Sequence, residues 1–596
     1  MKIETALKEG IAQAFKSLFC YDLDSKELSL QPTRKEFSGS YTFVMFPFLK
    51  ITRRNPESSG NKIGDWLKEH LTEVRSYNVT KGFLNLEISD ESWIRSLQIM
   101  LSSNNSFGSL PENGQKVMVE FSSPNTNKPL HLGHLRNNFL GDAISRIFKA
   151  NGYEVLKVNL VNDRGIHICK SMLAYQKMGN GETPESSGLK GDHLVGKYYV
   201  RFNEWYKKEI NALVDQGMNP EEAKKEASSI KLAQELLKKW EEHDPETVEL
   251  WKKMNNWVYE GFDATYHRMG IEFDKMYKES NTYLLGKDIV DEGLEKGIFN
   301  KKDDDSVWVD LSDEGMDEKL VLRGDGTAVY MTQDMGTSDM KHQDFPFDKN
   351  VFVVGNEQDY HFKVLFTIMK KLGRNYAEGM YHLSYGMIDL PSGKMKSRDG
   401  TVVDADHLLQ EMYDTAKKHT EELGKIGNTD SQETSTFYEI LGLGALKYFL
   451  LKVDPKKRML FNPQESIEFH GHTGPFIQYT HARIAAILRR AEILQVRTTF
   501  VESKVGDLNR READLIYRFT EFEKSLKEAA RAYSPAVIAQ YVYDLAKDYN
   551  GFYQEVPIFN EDNKDRLAFK IAISKLTAQT LKKGMELLGI AVPERM

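Results

Sequence analysis

The chain has 596 residues but only two cysteines, Cys20 and Cys169. Two thiols cannot supply a disulfide framework or the four ligands of a structural zinc site. Both lie in apolar helical patterns, so we expect buried thiols. Long apolar runs are also missing, because no stretch approaches the roughly 20 residues that span a bilayer, and the N-terminus lacks a signal-peptide pattern. We therefore expect a cytoplasmic protein with no membrane partner.

Basic residues are fewer than acidic ones, with 80 Lys and Arg against 88 Asp and Glu, and the net charge of −8 argues weakly against a nucleic-acid partner when taken alone. The distribution differs from the total, because residues 441–596 hold 24 Lys and Arg against 19 Asp and Glu. Two interpretations stay open for this basic C-terminal part. It is either a module that faces RNA or the solvated surface of a helical domain.

The length exceeds what one hydrophobic core supports, so several domains are expected. Residues 1–110 mix helices and short strands and predict an α+β domain. Residues 111–430 alternate strands and helices, as in KVMVEF and VLKVNLV, and predict a Rossmann-like α/β domain with a doubly wound parallel sheet. A charged helical insertion is expected at about 180–260, and residues 431–596 predict an all-α bundle.

The most informative motif is PNTNKPLHLGHLRN, at residues 124–137. His131 and His134 lie where a loop becomes the N-terminus of a predicted helix, so imidazoles and free backbone N–H groups can face one anion. Gly133 between them allows a nucleotide to approach the backbone closely. A nucleotide phosphate suits this arrangement. The alternative is a pair of histidines that only cap the helix or fill the core.

A second motif, GKMKSRDGTVV, covers residues 393–403 and follows a predicted strand. Its cations, including Lys394 and Arg398, could neutralise the charge that builds on a triphosphate during nucleotidyl transfer. The alternative is an exposed basic loop without a catalytic role.

Together the two motifs resemble the signatures of class I aminoacyl-tRNA synthetases. The segments EFSSPNTNKPLHLGHLRNN, VNDRG, RGDGTAVYMTQDMG, GNEQDYHF and FIQYTHARIAAILRR resemble the arginyl-tRNA synthetases of that class, in the same order along the chain. The resemblance extends to the closing LLGIAVPERM. It implies an ATP-dependent ligase that forms arginyl-adenylate and transfers arginine to the terminal adenosine of tRNA(Arg).

The same resemblance implies the substrate contacts. Glu120 and Asp334 would hold the guanidinium of L-arginine with Tyr330 nearby, Asn125 and Gln358 would hold its α-amino and carboxyl ends, and Asp163 would lie near the ammonium. For Asp163 a helix cap is the alternative. The expected ATP contacts are His131, Gly133, His134 and His361. The expected catalytic residues are Lys128, His131, His134, Lys394 and Arg398.

One position departs from the family pattern, because Ser397 stands where the second signature often has a lysine. The resemblance implies that Lys128, just before the histidines, substitutes for it. Mg²⁺ is expected to enter with ATP, without a dedicated protein metal site. We further expect a monomer whose C-terminal bundle reads the anticodon and whose N-terminal domain contacts the tRNA.

Two rival functions remain. A small-molecule adenylyltransferase would share the histidine motif but would not need a helical C-terminal domain of this size. A non-catalytic tRNA-binding relative is expected to have lost one or both motif histidines, and this chain has both.

Overall fold

The computed structural model describes residues 3–34, 36–102, 107–389, 403–422, 431–497 and 499–596. The N-terminal part is α+β, as predicted. Its four strands form an antiparallel sheet in the order β1-β2-β4-β3. Its elements are α1 (Ile3–Phe19), β1 (Leu30–Pro32), β2 (Tyr41–Val44), α2 (Leu49–Thr52), α3 (Pro56–His70), β3 (Val74–Thr80), β4 (Phe83–Ile88) and α4 (Asp90–Ser102).

The central part contains a five-stranded parallel sheet in the order β12-β11-β5-β6-β7, which confirms the predicted α/β class. Residues 117–119 are fully buried in β5, as expected for a strand covered on both faces. The elements up to the end of the insertion are β5 (Lys116–Glu120), α5 (Leu132–Ala150), β6 (Glu154–Val161), α6 (Ile166–Met178), α7 (Pro184–Ser187), α8 (Gly191–Asp215), α9 (Pro220–Glu226), α10 (Ser228–Glu241) and α11 (Pro245–Met269).

After the helical insertion the chain returns to the sheet and adds a small antiparallel sheet in the order β10-β9-β8. These elements are β7 (Lys275–Lys278), α12 (Glu279–Thr282), α13 (Lys287–Glu295), β8 (Phe299–Lys301), β9 (Val307–Val309), β10 (Lys319–Leu322), α14 (Tyr330–Asp344), β11 (Lys349–Gly355), α15 (Asp359–Lys371), β12 (Met380–Tyr385), β13 (Ile388–Asp389) and α16 (Ala405–Glu422). The sequence analysis did not anticipate β7 to β10, because each has only three or four residues.

The C-terminal part is helical apart from β14, which pairs in parallel with β13. Its elements are α17 (Ser431–Leu451), β14 (Met459–Leu460), α18 (Pro463–Ser466), α19 (Gly474–Ile493), α20 (Arg510–Thr520), α21 (Phe522–Arg531), α22 (Ala536–Glu555) and α23 (Lys564–Leu587). Among the described residues, no helix combines the length and the apolar character that crossing a bilayer requires.

One expectation about the cysteines was wrong. Cys169 is buried in α6, but Cys20 is exposed. The helical pattern of the N-terminus ends at Phe19, and Cys20 takes a left-handed backbone conformation with φ of 53°. The thiol therefore lies beyond the buried face of α1.

Gly141 lets α5 pack against the end of β5. A Cβ atom at this position would lie 2.2 Å from the ring of Phe121. We expect Gly141→Ala to destabilise the protein by about 1–3 kcal/mol through overpacking. The matched control is Gly551→Ala in α22, where the nearest atoms belong to the flexible side chain of Arg511 at 3.2 Å. Thermal unfolding midpoints test the difference, and equal midpoints for the two variants would contradict it.

Candidate active site

The predicted substrate contacts cluster where parallel strands end. Glu120 is the last residue of β5, and Asp163 follows the end of β6. Gln358 lies just after β11, and Asn125 is bridged to Asn162 beyond β6. Ligands of open α/β sheets bind at this carboxyl edge. The fold therefore brings these positions to one side of the sheet, as the sequence predicted.

The loop that follows Glu120 is held in an unusual backbone conformation. Ser122 and Ser123 have φ values of 77° and 44°, in the left-handed region that non-glycine residues rarely adopt. Two asparagine side chains hold them there. The N–H of Ser122 donates to Oδ1 of Asn137 at 2.5 Å, and the N–H of Ser123 donates to Oδ1 of Asn159 at 3.0 Å. The strained turn directs the chain toward the histidine motif.

The two motif histidines cap α5 reciprocally. The backbone N–H of Gly133 donates to Nδ1 of His131 at 3.1 Å, and the N–H of His131 donates to Nδ1 of His134 at 3.1 Å. Since each Nδ1 accepts a hydrogen bond, each ring carries its proton on Nε2. The two histidines therefore do cap the helix, and they do so through their Nδ1 atoms. In the described part of the chain, both Nε2–H groups are left to donate to a ligand.

Both imidazoles are held neutral. Burial, reinforced by the charge of Lys128, lowers the pKa of His131 to about 4. Burial also lowers the pKa of His134 well below its usual value, with smaller contributions from His131 and Lys128. The pKa of Lys128 is itself lowered by burial. The N-terminus of α5 thus combines one cationic side chain with two neutral N–H donors.

Gly133 lies directly beside the imidazole ring of His131. A Cβ atom there would lie 3.0 Å from the His131 ring. A side chain at this position would press on the imidazole that caps the helix.

Asp334 and His361 form a hydrogen-bonded pair on α14 and α15. Nε2 of His361 lies 2.6 Å from Oδ2 of Asp334, and this bond raises the pKa of His361. Glu279, at the start of α12, faces the same group of charges. Its pKa is raised first by burial and further by Asp163 and Asp334. Acidic groups from two helices and from the turn after β6 therefore lie close together at this edge of the sheet.

Glu120 has an internal partner that the sequence analysis missed. Its carboxylate forms an ion pair with Lys341 of α14, and both side chains are buried. A buried carboxylate without a partner would be strongly unfavourable, and Lys341 supplies that partner inside the protein. The amino group of Lys341 also lies 5.6 Å from the ring centre of Tyr277.

Asp163 differs most from its predicted role. Its side chain is fully buried, and its carboxylate accepts hydrogen bonds from the N–H and hydroxyl of Ser280 and from the hydroxyl of Tyr259, each at 2.8 Å. The helix-cap alternative is also wrong, because Gly165 is the N-cap of α6. In this structure Asp163 connects the turn after β6 to α11 and α12 and makes no surface available to a ligand.

The remaining predicted residues are either exposed or outside the described part of the chain. Asn125 and Gln358 are exposed, and Tyr330 is 75% exposed at the first position of α14. Lys394 and Arg398, and with them Ser397, lie outside the described residues.

A separate cluster of charges fixes the start of α16 to the helical insertion. Asp192, His193 and Asp406 bring ligand atoms within 4.8 Å of one another, a spacing that could hold a metal ion. Lys190 forms ion pairs with both Asp192 and Asp406. Its ammonium group therefore already supplies the cation that this cluster needs.

Two functional signals were weak in the sequence. Glu279 directly follows β7, a four-residue strand that was not recognised. Lys341 lies seven residues after Asp334, two helical turns along the same face of α14. In the sequence, the only indication of this ion pair was a single lysine on a mostly buried face of α14.

Two family models match the chain. The catalytic domain of the class I tRNA synthetases (R) matches residues 96–462, and the DALR anticodon binding domain matches residues 477–596. Curated relatives named arginine–tRNA ligase are 57% identical in Amoebophilus asiaticus and 53% identical in Bacteroides fragilis, each covering 100% of both chains. The arginyl-tRNA synthetase structure from Thermus thermophilus superposes with a TM-score of 0.77 at 25% identity, over 99% of each chain.

The neutral state of His131 has a consequence for acid stability. Below the ordinary histidine pKa of about 6.5 the unfolded chain binds a proton at His131, while the folded chain binds it only near its lowered pKa of about 4. Stability is therefore lost as the pH falls through this window. His131→Asn keeps an N-cap acceptor but does not titrate. We expect its unfolding midpoint to fall less than that of the parent between about pH 7 and about pH 5.

The control for this comparison is the same substitution at the exposed His243. It should leave the parent's pH dependence unchanged. An identical fall of the midpoint in parent and His131→Asn would show that His131 is not held neutral.

Proposed function

The chain belongs to the class I arginyl-tRNA synthetase family, and we infer that its described site carries out the family's reaction. The enzyme activates L-arginine with ATP and attaches it to tRNA, releasing AMP and pyrophosphate. The observation that carries this inference is the pair of neutral histidine donors at the N-terminus of α5, beside a group of acidic residues at the carboxyl edge of the sheet.

The first step requires electrostatic stabilisation more than proton transfer. A carboxylate oxygen of arginine attacks the α-phosphorus of Mg-ATP, and the bond to the bridging oxygen of pyrophosphate breaks. The attacking carboxylate is already ionised, so no general base is needed. We propose that the Nε2–H groups of His131 and His134 donate to the transferring phosphoryl group and that Lys128 offsets its charge. Lys394 and Arg398 stay proposed for the same task.

Arginine recognition follows from the acidic residues. A guanidinium is a planar fork of five donors and is best matched by carboxylates. We propose Asp334 for this contact, with Glu279 as an addition and Glu120 as predicted from sequence. Tyr330, Asn125 and Gln358 remain proposed contacts from the exposed side. His361 remains a proposed ATP contact, reached when arginine takes over its bond to Asp334.

The second step uses the tRNA. We propose that the 2′-hydroxyl of the terminal adenosine attacks the arginyl carbonyl and displaces AMP. Residues 431–596 would bind the anticodon of tRNA(Arg), and residues 1–110 would contact the tRNA elsewhere. We also propose that the protein is a monomer and that it works in the cytoplasm. Mg²⁺ would enter as part of the ATP substrate.

Aminoacylation of purified tRNA with each of the twenty amino acids tests this function. Charging should require ATP and occur with arginine only. Charging with another amino acid, or adenylate transfer to a small molecule without any RNA product, would refute it.

Asp334 and Asp163 should respond differently to the same change. Asp334→Asn removes the anionic acceptor for the guanidinium, and a lost charged hydrogen bond of about 1.5–3 kcal/mol corresponds to a KM for arginine raised about 10- to 150-fold. Asp163→Asn should instead lower the unfolding midpoint, because an amide nitrogen cannot accept the bonds from Ser280 and Tyr259. Steady-state kinetics and thermal unfolding separate the two effects.

The control is Glu378→Gln, which alters an exposed ion pair with Lys370 and should change neither quantity. If Asp163→Asn raised the KM for arginine without loss of stability, Asp163 would be a direct contact after all.

ATP–pyrophosphate exchange with arginine should be negligible until tRNA is added. The resemblance implies this dependence, and the internal partners of the acidic residues support it. Glu120 is bound to Lys341 and Asp334 to His361 in the free chain, so arginine must displace existing bonds. Changing the ratio of the open arrangement to the internally bonded one from 1:99 to 99:1 needs about 5.5 kcal/mol of differential binding, which a large RNA interface can supply. Full exchange by RNA-free enzyme would exclude the coupling.

A further inference from the structure

Arg136 is the largest charged side chain buried completely in the described structure, with 0% exposure. It lies on α5, two residues after His134. In the described part of the chain Arg136 forms no ion pair with a carboxylate. Its guanidinium donates instead to backbone carbonyls: to Gly386 at 2.5 Å, Lys457 at 2.9 Å, Pro455 at 3.1 Å and Asp454 at 3.4 Å. These bonds use both terminal nitrogens, while the buried Nε has no hydrogen-bond partner among the described residues. A buried cation with carbonyl partners only is costly to maintain, and burial lowers the pKa of Arg136 to about 10.

These carbonyls come from two separate segments. Residue 386 follows the edge strand β12 and leads into β13, whereas residues 454–457 form the turn between α17 and β14. The N–H of Gly386 donates to the carbonyl of Pro455 at 2.9 Å. Beyond this contact the two segments pair as β13 and β14. Arg136 therefore holds three pieces of chain at one point, because its planar fork donates in several fixed directions.

The turn is also connected to the C-terminal helices. Tyr448, in the last turn of α17, is buried and its hydroxyl donates to the carbonyl of Ala539 in α22 at 2.8 Å. Lys452, at the start of the turn, donates to the carbonyl of His472 before α19 at 2.9 Å. These two hydrogen bonds connect the C-terminal helices to the turn whose carbonyls Arg136 binds.

We propose that Arg136 is a positioning residue for the activation step: it fixes the Gly386 segment and the 454–457 turn to the helix that carries His131 and His134. Displacement of the C-terminal helices then displaces the donors at the N-terminus of α5. This proposal rests on the proposed function, because it assigns those donors to the transferring phosphoryl group.

Gly386 provides an independent way to disturb the same junction. A Cβ atom at this position would lie 2.6 Å from the backbone carbon of Lys457 and 2.7 Å from the nitrogen of Arg458. Gly386→Ala therefore separates the two segments while Arg136 remains intact. If the junction positions the active site, this variant and Arg136→Lys should behave alike.

The test measures tRNA-supported ATP–pyrophosphate exchange for Arg136→Lys, Gly386→Ala and the control Arg146→Lys. Lysine keeps the charge of Arg136 but loses the fork. Arg146 lies on the same helix and forms a half-exposed ion pair with Asp142 that a lysine can retain. We expect kcat per active site, counted by active-site titration, to fall about thirtyfold or more in the first two variants, with the KM for arginine changed less than about threefold. The control should match the parent.

Hydrogen exchange provides a readout that does not depend on activity. The amides of Met459 and Phe461 donate to the carbonyls of Met387 and Asp389, across the junction. They should exchange faster in Arg136→Lys than in the parent. Unchanged protection, or parental kcat per active site with only a lowered unfolding midpoint, would overturn the positioning role. A parent enzyme that fails to charge tRNA would refute the proposed function instead, and faster exchange of these two amides in Arg136→Lys would then show only that Arg136 holds the junction together.

Discussion

The N-terminus of α5 imposes the constraint on which the site depends. Its first backbone N–H groups need acceptors, and the two histidine Nδ1 atoms supply them. Because each Nδ1 accepts a hydrogen bond, each neutral ring has its N–H group at Nε2, directed outward. The next turn of the same helix carries Arg136 and Asn137, which hold the ends of β5, β11 and β12 through backbone contacts. One helix end therefore sets both the chemistry of the donors and their position on the sheet.

Two acidic side chains of the described site each have a hydrogen-bonded partner inside the protein. Lys341 accompanies Glu120, and His361 accompanies Asp334. In each pair a nitrogen atom of the protein lies within hydrogen-bond reach of the carboxylate, which is therefore not left without a partner. A cationic substrate then competes with an internal cation. Under the proposed function, selectivity would arise from this competition, because a substrate must satisfy the carboxylates better than Lys341 or His361 does.

The sequence predicted the elements whose patterns are long and local. The buried run of β5 and the motif at the start of α5 placed Glu120, His131 and His134 correctly. The partners of these residues were not predictable from one sequence, because they are distant along the chain. Lys341 is 221 residues from Glu120, and Gly386 is 250 residues from Arg136. The bonds of Asp163 were not predictable for the same reason, since its partner Ser280 belongs to a helix 117 residues away.

The cost of burying charge explains why the donors at the N-terminus of α5 are neutral imidazoles and not cations. A neutral imidazole can be buried in an empty pocket with one hydrogen bond satisfied, whereas a buried ammonium without a counter-ion costs several kcal/mol. The N-terminus of α5 accordingly keeps its two imidazole donors neutral and has one cationic side chain beside them, Lys128, whose pKa is already lowered by burial. Most of the positive charge that a triphosphate requires must therefore arrive with the substrate, as the metal ion of Mg-ATP, or from side chains that are solvated before ATP binds. Under the proposed function, the fixed donors would define where the phosphoryl group is held, and the arriving charge would stabilise it there.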